Sequence, residues 1–215
     1  MFIGHFLDIE AMSKRTESLK GPFNEFMNEV VGTKEEDYYS RLTVNHFIRL
    51  KKVFANINNI ITLQVTLAFV DMLKKAGIVD ESQYAKIYQD IEDVNANANG
   101  YDVCYTGKVG SADGIIAEIK CNIPVGNKQF GAAQFKGIEK DVDGLMNGKT
   151  KETEINPKNY LKFLVLLDDG AKVYEAMKNF ADKMNSKRKP IVILDKLQLE
   201  SLNTDTIHVV ICKLE

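Results

Sequence analysis

The stretch SADGIIAEIKCNIP, residues 111–124, places charged side chains in a segment that is otherwise suited to burial. Its centre, residues 115–119, reads IIAEI, and a run that is apolar on both faces is typical of a strand inside a sheet. Glu118 and Lys120 interrupt that run. Because a buried charge is costly unless it is paired, we expect these two side chains to have a purpose.

The residues before this strand favour a β-hairpin. Two short β-rich runs are joined by GKVGSADG, residues 107–114, which has the composition of a long hairpin loop. If the chain turns near residues 110–111, Asp102 lies opposite Ile119 on the neighbouring strand. The sequence therefore predicts a third charged residue at the same end of the hairpin.

Three charged side chains are expected to converge there. Glu118 and Lys120 are two residues apart and so share a face of their strand. A bulge or a one-residue shift in register is enough to bring Asp102 beside them. Asp113 does not join them, because it lies roughly 16 Å from Glu118 at the ~3.3 Å rise of a strand. We place Asp113 at the loop end of the hairpin.

Two carboxylates and a lysine at one point suit metal-assisted cleavage of a phosphodiester. Carboxylate oxygens on adjacent strands can hold Mg²⁺ and leave positions open for water and phosphate. The metal acidifies water and neutralises charge on the phosphate, and a lysine beside it orients or deprotonates the nucleophile. The competing interpretation is an ordinary ion pair of Glu118 with Lys120 on a solvated strand face.

Hydrophobic spacing predicts helices on both sides of the hairpin. One helix is expected from Thr43, a second over residues 60–76, and a third from Asp80, where Gln83 completes a capping box. From residue 80 onward the predicted order of elements is α, β, β, α, β, α, β, β. This order is typical of a mixed β-sheet flanked by helices.

The length of the chain allows a core with an appendage. At 215 residues and 45% hydrophobic content it can bury a sizeable core. We predict an N-terminal helical region at residues 1–79 and an α/β core, of mixed α+β type, at residues 80–215. The three cysteines, Cys104, Cys121 and Cys212, are an odd number without CxxC spacing, which favours reduced, buried thiols in a cytoplasmic protein and argues against a zinc site.

Several other classes of function are disfavoured. The N-terminus lacks the segments of a signal peptide, and polar residues interrupt the apolar run at residues 60–73, so we expect a core helix there and no membrane partner. Residues 126–131, GNKQFG, lack the pattern of a nucleotide-binding P-loop. With a net charge of −2, DNA binding would depend on local basic stretches at residues 49–52 and 187–189, each also typical of a solvated surface.

Asp102, followed sixteen residues later by Glu118-Ile119-Lys120 at the end of an apolar strand, resembles the PD-(D/E)XK nuclease superfamily. Many restriction endonucleases and several repair nucleases share this fold, an α-β-β-β-α-β core with the first acid on one strand and the (D/E)XK motif on the next. The sequence departs from that pattern in two respects. Tyr101 stands where the family often has proline, and no strand is evident between residue 80 and the acid strand.

The resemblance implies a metal site and a lysine that acts on water. Asp102 and Glu118 would bind Mg²⁺, for which Mn²⁺ is the expected substitute, together with the main-chain carbonyl of Ile119. Lys120 would assist the attacking water. No further cofactor is implied.

The resemblance also implies two accessory residues, one on each neighbouring helix. Glu92 on the preceding helix is the candidate for a further acidic residue of the site, and a solvated helix flank is the alternative for it. Gln134 on the following helix is the candidate for a contact to the DNA backbone.

The implied function is a Mg²⁺-dependent endonuclease acting on double-stranded DNA. We expect a type II restriction enzyme that works as a homodimer, because a cut through both strands of a palindrome needs two sites. Three alternatives stay open. They are a DNA repair or structure-selective nuclease, a non-catalytic DNA-binding module on the same fold, and an α/β interaction protein without nucleic acid.

Overall fold

A five-stranded mixed β-sheet forms the centre of the fold. The computed structural model describes residues 14–93, 100–122, 124, 128–168, 170 and 172–214. The strands are β1 Val103–Val109, β2 Ala112–Lys120, β3 Tyr160–Leu167, β4 Ile191–Ile193 and β5 Ile207–Cys212, and they lie in the order β1-β2-β3-β5-β4. The predicted fold class, a mixed sheet flanked by helices, is confirmed.

Five α-helices accompany the sheet in the described part of the chain. They are α1 Lys14–Val31, α2 Val44–Lys75, α3 Glu81–Asp93, α4 Ala132–Asn147 and α5 Lys172–Ser186. Short 3-10 turns lie at Tyr39–Arg41, Pro157–Asn159 and Leu199–Ser201. The order of elements from residue 80 onward is the predicted one.

Helix α2 corrects the prediction of two separate helices, one from Thr43 and one over residues 60–76. It is a single helix of 32 residues. The sequence of residues 44–75 holds neither glycine nor proline, so its backbone chemistry gives no reason for a break. Within the described residues, α2 is also the one helix long and apolar enough to cross a membrane by length and composition. One face of its second half nevertheless packs in the protein core, where these side chains have no exposed surface: Val65, Phe69, Val70 and Leu73.

The start of α3 follows directly from the sequence. The backbone N–H of Gln83 donates to Asp80 Oδ1, and the side chain of Gln83 accepts from the backbone N–H of Asp80, both at 2.8 Å. This is the predicted capping box, in which two free N–H groups at the helix start are satisfied reciprocally.

The hairpin of β1 and β2 contains the register shift that the predicted site requires. The antiparallel pairing changes by one residue between Thr106 and Val109. This irregularity lies at the loop end, so it displaces the start of β1 along β2. Asp102, immediately before β1, is thereby brought beside Glu118 and Lys120 as predicted.

The remaining strands are parallel, and helices cover both faces of the sheet. Strand β2 pairs with β3, β3 with β5, and β5 with β4, all in parallel. Helices α4 and α5 pack in one apolar cluster, whereas α3 and the second half of α2 pack in another. Strand β2 is consequently buried along nearly its whole length, and Ile115, Ile116 and Ala117 have no exposed surface. The prediction of a strand buried on both faces is confirmed.

The chain divides into two compact units, Met1–Asn58 and Asn59–Glu215, and the whole sheet belongs to the second. In the first unit, Tyr39 is 3% exposed and packs edge-on against Phe23 and Phe47, with ring centroids 6.0 and 5.6 Å away. The functional division into a helical region at residues 1–79 and a catalytic core at residues 80–215 stays a prediction.

Candidate active site

A cavity of about 1360 Å³ opens in the second unit at the carboxyl end of β2. Asp102, Glu118 and Lys120 all line it. The volume exceeds the roughly 300–1,000 Å³ of ordinary small-molecule sites, which favours a larger substrate. Ten charged residues line the cavity, six acidic and four basic: Asp90, Asp102, Glu118, Asp141, Asp143, Glu152, Lys120, Lys140, Lys149 and Lys151. The excess of carboxylates favours a cation.

Asp102 is fixed across the hairpin by a hydrogen bond to the next strand. Its Oδ2 accepts from the backbone N–H of Ile119 at 2.7 Å. The residue is exposed by area, but its carboxylate lies within the concave wall of the cavity. Burial there raises the pKa of Asp102, although the Ile119 bond and the charge of Lys120 oppose that rise. The carboxylate thus costs free energy to ionise and would benefit from a cation.

Glu118 is a buried carboxylate with an incomplete set of partners. The residue is 3% exposed, and burial together with the charge of Asp102 raises its pKa to about 7. Its Oε1 lies in contact with the ammonium of Lys149, which is the only partner of the Glu118 side chain among the described residues. An ionised carboxylate has sites for about four hydrogen bonds, so Glu118 can also bind an additional cation.

Lys120 is held by a residue that the sequence analysis did not name. Its Nζ lies 2.8 Å from Oδ2 of Asp141, on α4. Burial lowers the pKa of Lys120, but the bond to Asp141 and the surrounding carboxylates raise it more, so the net shift is upward. Lys120 therefore remains an ammonium ion, which orients groups as a donor and does not act as a base in this arrangement.

Lys149 brings a second ammonium group into the site. Its Nζ pairs with Glu118 Oε1, donates to the carbonyl of Gly100 at 2.6 Å, and lies 5.1 Å from the centre of the Tyr101 ring. The side chain is only 21% exposed. The segment after α4 thus turns one of its lysines inward.

These residues fit a Mg²⁺ ion with few protein ligands. In the described part of the chain, no group of three or more His, Cys, Asp and Glu side chains is placed to hold a metal. Mg²⁺ needs fewer, because it commonly keeps several waters and binds through one or two carboxylates. Asp102 and Glu118 supply two, and Glu118 has only Lys149 as a partner among the described residues, which leaves room for a cation between the two carboxylates. The carbonyl of Ile119 is the third candidate ligand.

Of the two accessory residues, only Gln134 has a described side chain. Gln134 is in the first turn of α4, where its side-chain oxygen accepts from the backbone N–H of Gly131 at 2.9 Å. It does not line the cavity. Glu92 belongs to α3, but its side chain lies outside the described residues. Asp113 lies near the loop end of the hairpin as predicted, 2.6 Å from Lys108 Nζ.

The basic stretch at residues 187–189 is a set of surface ion pairs. Lys187 lies 2.6 Å from Glu139, and Lys189 lies 2.5 Å from Asp143. This arrangement matches the solvated surface that was one of its two predicted interpretations. Residues 126–127 of the GNKQFG stretch lie outside the described residues.

No family model, curated protein or solved structure matches this chain. The resemblance to PD-(D/E)XK nucleases consequently rests on the motif and on the geometry around it. In the described residues no strand precedes β1 next to α3, so the third antiparallel strand of that family's core is not seen.

Sequence reasoning missed Asp141 and Lys149, which pair with two of the three predicted residues. The pattern offered one usable clue for each. Asp141 directly precedes Val142 on the buried stripe of α4, so it borders the face that packs on the sheet. Lys149 directly follows Gly148, whose φ of +94° reverses the chain at the helix end and returns it toward the sheet.

Proposed function

We propose that this protein is a Mg²⁺-dependent nuclease that hydrolyses phosphodiester bonds of double-stranded DNA. One observation carries the proposal. Two carboxylates, Asp102 and Glu118, lie at the end of adjacent strands in a large cavity, and Glu118 is buried with only the ammonium of Lys149 as a partner among the described residues. A structural ion pair needs neither the cavity nor the second carboxylate.

The side chains divide the work of such a site. Asp102 and Glu118 would bind Mg²⁺, with Asp102 kept in place by Ile119, and the bound ion would supply Lewis-acid chemistry to water and phosphate. Lys120 remains charged beside Asp141, so it would orient the attacking water or a phosphate oxygen. Hydrolysis adds water across the P–O bond, and the leaving oxygen departs with a proton from solvent.

The finer assignment is a type II restriction endonuclease. The cavity size, the PD-(D/E)XK-like motif and the α, β, β, α order support it. We propose that the enzyme acts as a homodimer on palindromic DNA in the cytoplasm, because two copies related by a two-fold axis present one site to each strand. A repair or structure-selective nuclease would use the same chemistry on a different DNA shape.

Cleavage of DNA by the full chain tests the proposal. Plasmid and linear DNA of mixed sequence are incubated with Mg²⁺, with Mn²⁺ or with EDTA, and the products are separated on a gel. We expect metal-dependent cleavage, into discrete fragments if the enzyme is a restriction endonuclease. Cleavage confined to forks, junctions or damaged ends would favour the repair alternative.

A pair of conservative variants locates the activity. Asp102→Asn removes a proposed ligand, and we expect it to abolish cleavage. Asp113→Asn removes an acid of the same hairpin that pairs with Lys108 on the surface, and we expect full activity. If wild type cuts no DNA with either metal, or if both variants cut equally well, the proposed active site is wrong.

A further inference from the structure

Lys149 provides the positive charge next to the buried carboxylate of Glu118, and the local backbone directs its side chain there. Its Nζ contacts Glu118 Oε1, one of the two oxygens in the cavity region that are buried without an aligned hydrogen bond. The other partners of the ammonium carry no formal charge: they are the carbonyl of Gly100 and the face of the Tyr101 ring. Glu118 is therefore the strongest anionic partner that Lys149 has in the described residues.

Two glycines make this placement possible. Gly148 has a φ of +94°, a conformation that L side chains rarely adopt, and it turns the chain back after α4. Gly144 lies under the stem of Lys149, since a Cβ at Gly144 would be 3.3 Å from its Cε. The Tyr101 hydroxyl donates to the carbonyl of Gly144 at 3.1 Å and fixes the same turn. The lysine is thus directed inward by its backbone and neighbours.

The two lysines of the site differ in what they pair with. Lys120 pairs with Asp141, which lies on α4 and is not a proposed ligand. Lys149 pairs with Glu118, which is one. A divalent ion bound at Glu118 would compete with Lys149 for the same oxygen but would leave the Lys120 pair intact.

We propose that Lys149 is the resident counter-cation of the metal-free site and leaves Glu118 when a divalent metal binds. This inference rests on the proposed function. It assigns Lys149 a positioning role: the ammonium holds the buried carboxylate in place until the metal arrives, and it weakens metal affinity. Two cations at one buried carboxylate oxygen repel each other, so the metal is expected to displace the ammonium.

Metal binding to the full chain, without DNA, tests the exchange. Affinities for Mg²⁺, and for Ca²⁺ as a non-catalytic substitute, are measured by titration calorimetry for wild type, Lys149→Met and Lys151→Met. Lys151 lines the same cavity and has the same charge, so it controls for the general loss of a positive group. We expect Lys149→Met to bind the metal about tenfold more tightly than Lys151→Met, since a direct competitor is gone.

A thermal melt of the same proteins gives a second readout. Without metal, Lys149→Met removes the only partner that Glu118 has among the described residues, so we expect the melting temperature of this variant to fall below that of wild type. Saturating Mg²⁺ should remove most of that difference. A merely structural lysine would lower stability equally with and without metal.

Lys149→Arg keeps the proposal testable if Lys149→Met does not fold. Arginine binds a carboxylate through a planar fork and holds it more firmly than lysine does. We expect about tenfold weaker Mg²⁺ binding in this variant. Unchanged affinity in Lys149→Arg, or equal affinities in Lys149→Met and Lys151→Met when wild type binds Mg²⁺, would overturn the exchange and leave the nuclease proposal standing. If wild type and Lys149→Met both bind no divalent ion, the metal site itself is wrong.

Discussion

The sheet contains two deeply buried charged groups, and they differ in how completely their hydrogen bonding is satisfied. Glu118 at the carboxyl end of β2 is 3% exposed and keeps an oxygen without an aligned hydrogen bond. Lys162 near the amino end of β3 is 2% exposed, and its Nζ donates to three backbone carbonyls, those of Pro157, Tyr160 and Thr204. Both are costly to bury, and burial lowers the pKa of Lys162 to about 8.

The difference separates a structural charge from a chemical one. The ammonium of Lys162 has three protons and three acceptors, so its hydrogen bonding is complete. Those acceptors lie in the turn before β3, in the first residue of β3 and in the loop before β5, so the lysine joins these segments. Glu118 opens into a cavity and has capacity left for a ligand. A complete set of partners stabilises a fold, and an incomplete set beside a cavity is available for binding.

Glu118→Gln is the change with the largest expected effect on activity. We expect DNA cleavage to fall about 10³-fold, which corresponds to about 4 kcal/mol of transition-state free energy, because a proposed metal ligand loses its charge. The free energy of unfolding should not fall, since the amide removes a buried charge whose pKa is raised to about 7. Cleavage rates and urea melts on one preparation measure both. If Glu118→Gln lost stability but kept its cleavage rate, Glu118 would be the structural charge, and its proposed role in binding metal would be wrong.

Lys162→Met should give the opposite result. Three buried carbonyls would lose their donor, and we expect the free energy of unfolding to fall by about 3 kcal/mol. Cleavage per folded molecule should stay at the wild-type level, because Lys162 does not line the cavity. Urea denaturation measures the free energy of unfolding. The cleavage rate, measured at urea concentrations below the unfolding midpoint and divided by the folded fraction, gives the activity per folded molecule. A variant as stable as wild type would show that the three bonds contribute nothing net.

His208 on β5 is a third buried ionisable group, and we expect it to make stability depend on pH, with a smaller change in the free energy of unfolding than Lys162→Met gives. It is 1% exposed, its Nδ1 lies 3.3 Å from the carbonyl of Lys162, and burial lowers its pKa despite that contact. Because the folded pKa is below the unfolded value of about 6.5, the unfolded state binds more protons between these values. Stability is therefore complete above about pH 6.5 and declines as the pH falls through that window.

The variant His208→Gln tests this assignment. Urea melts between pH 5 and 7.5 should show a shallower loss of stability on acidification than wild type shows, since one buried group no longer takes up a proton on unfolding. The two pH curves are compared in slope, so an overall loss of stability from the substitution does not affect the result. Parallel curves would mean that His208 does not contribute to the acid sensitivity.

Local sequence patterns predicted the parts of the fold and site that depend on neighbours along the chain. The capping box at Asp80 and the hairpin with its register shift both arise within about twenty residues, as does the meeting of Asp102 with β2. The continuity of α2 was missed, although residues 44–75 hold neither glycine nor proline and so give no local reason for a break.

Asp141 and Lys149 could not be predicted in the same way. Each reaches the site from α4 or from the turn after it, and the distance to β2 depends on how α4 packs on the sheet. Alternation and helical spacing fix which face of an element is buried, but they do not fix which flanking side chain reaches a given carboxylate. The sequence therefore predicted Asp102, Glu118 and Lys120 but not the residues that pair with Glu118 and Lys120.

The turn at Gly148 has a consequence for how the chain can vary. It closes a segment, residues 100–149, within which the polar contacts of the site join residues 17 and 49 positions apart. Short separations along the chain cost little loop-closure entropy and form early in folding. Substitutions, insertions or fusions near either terminus should accordingly leave the site residues in place. Sequence changes within residues 100–149 should be the ones that alter the site.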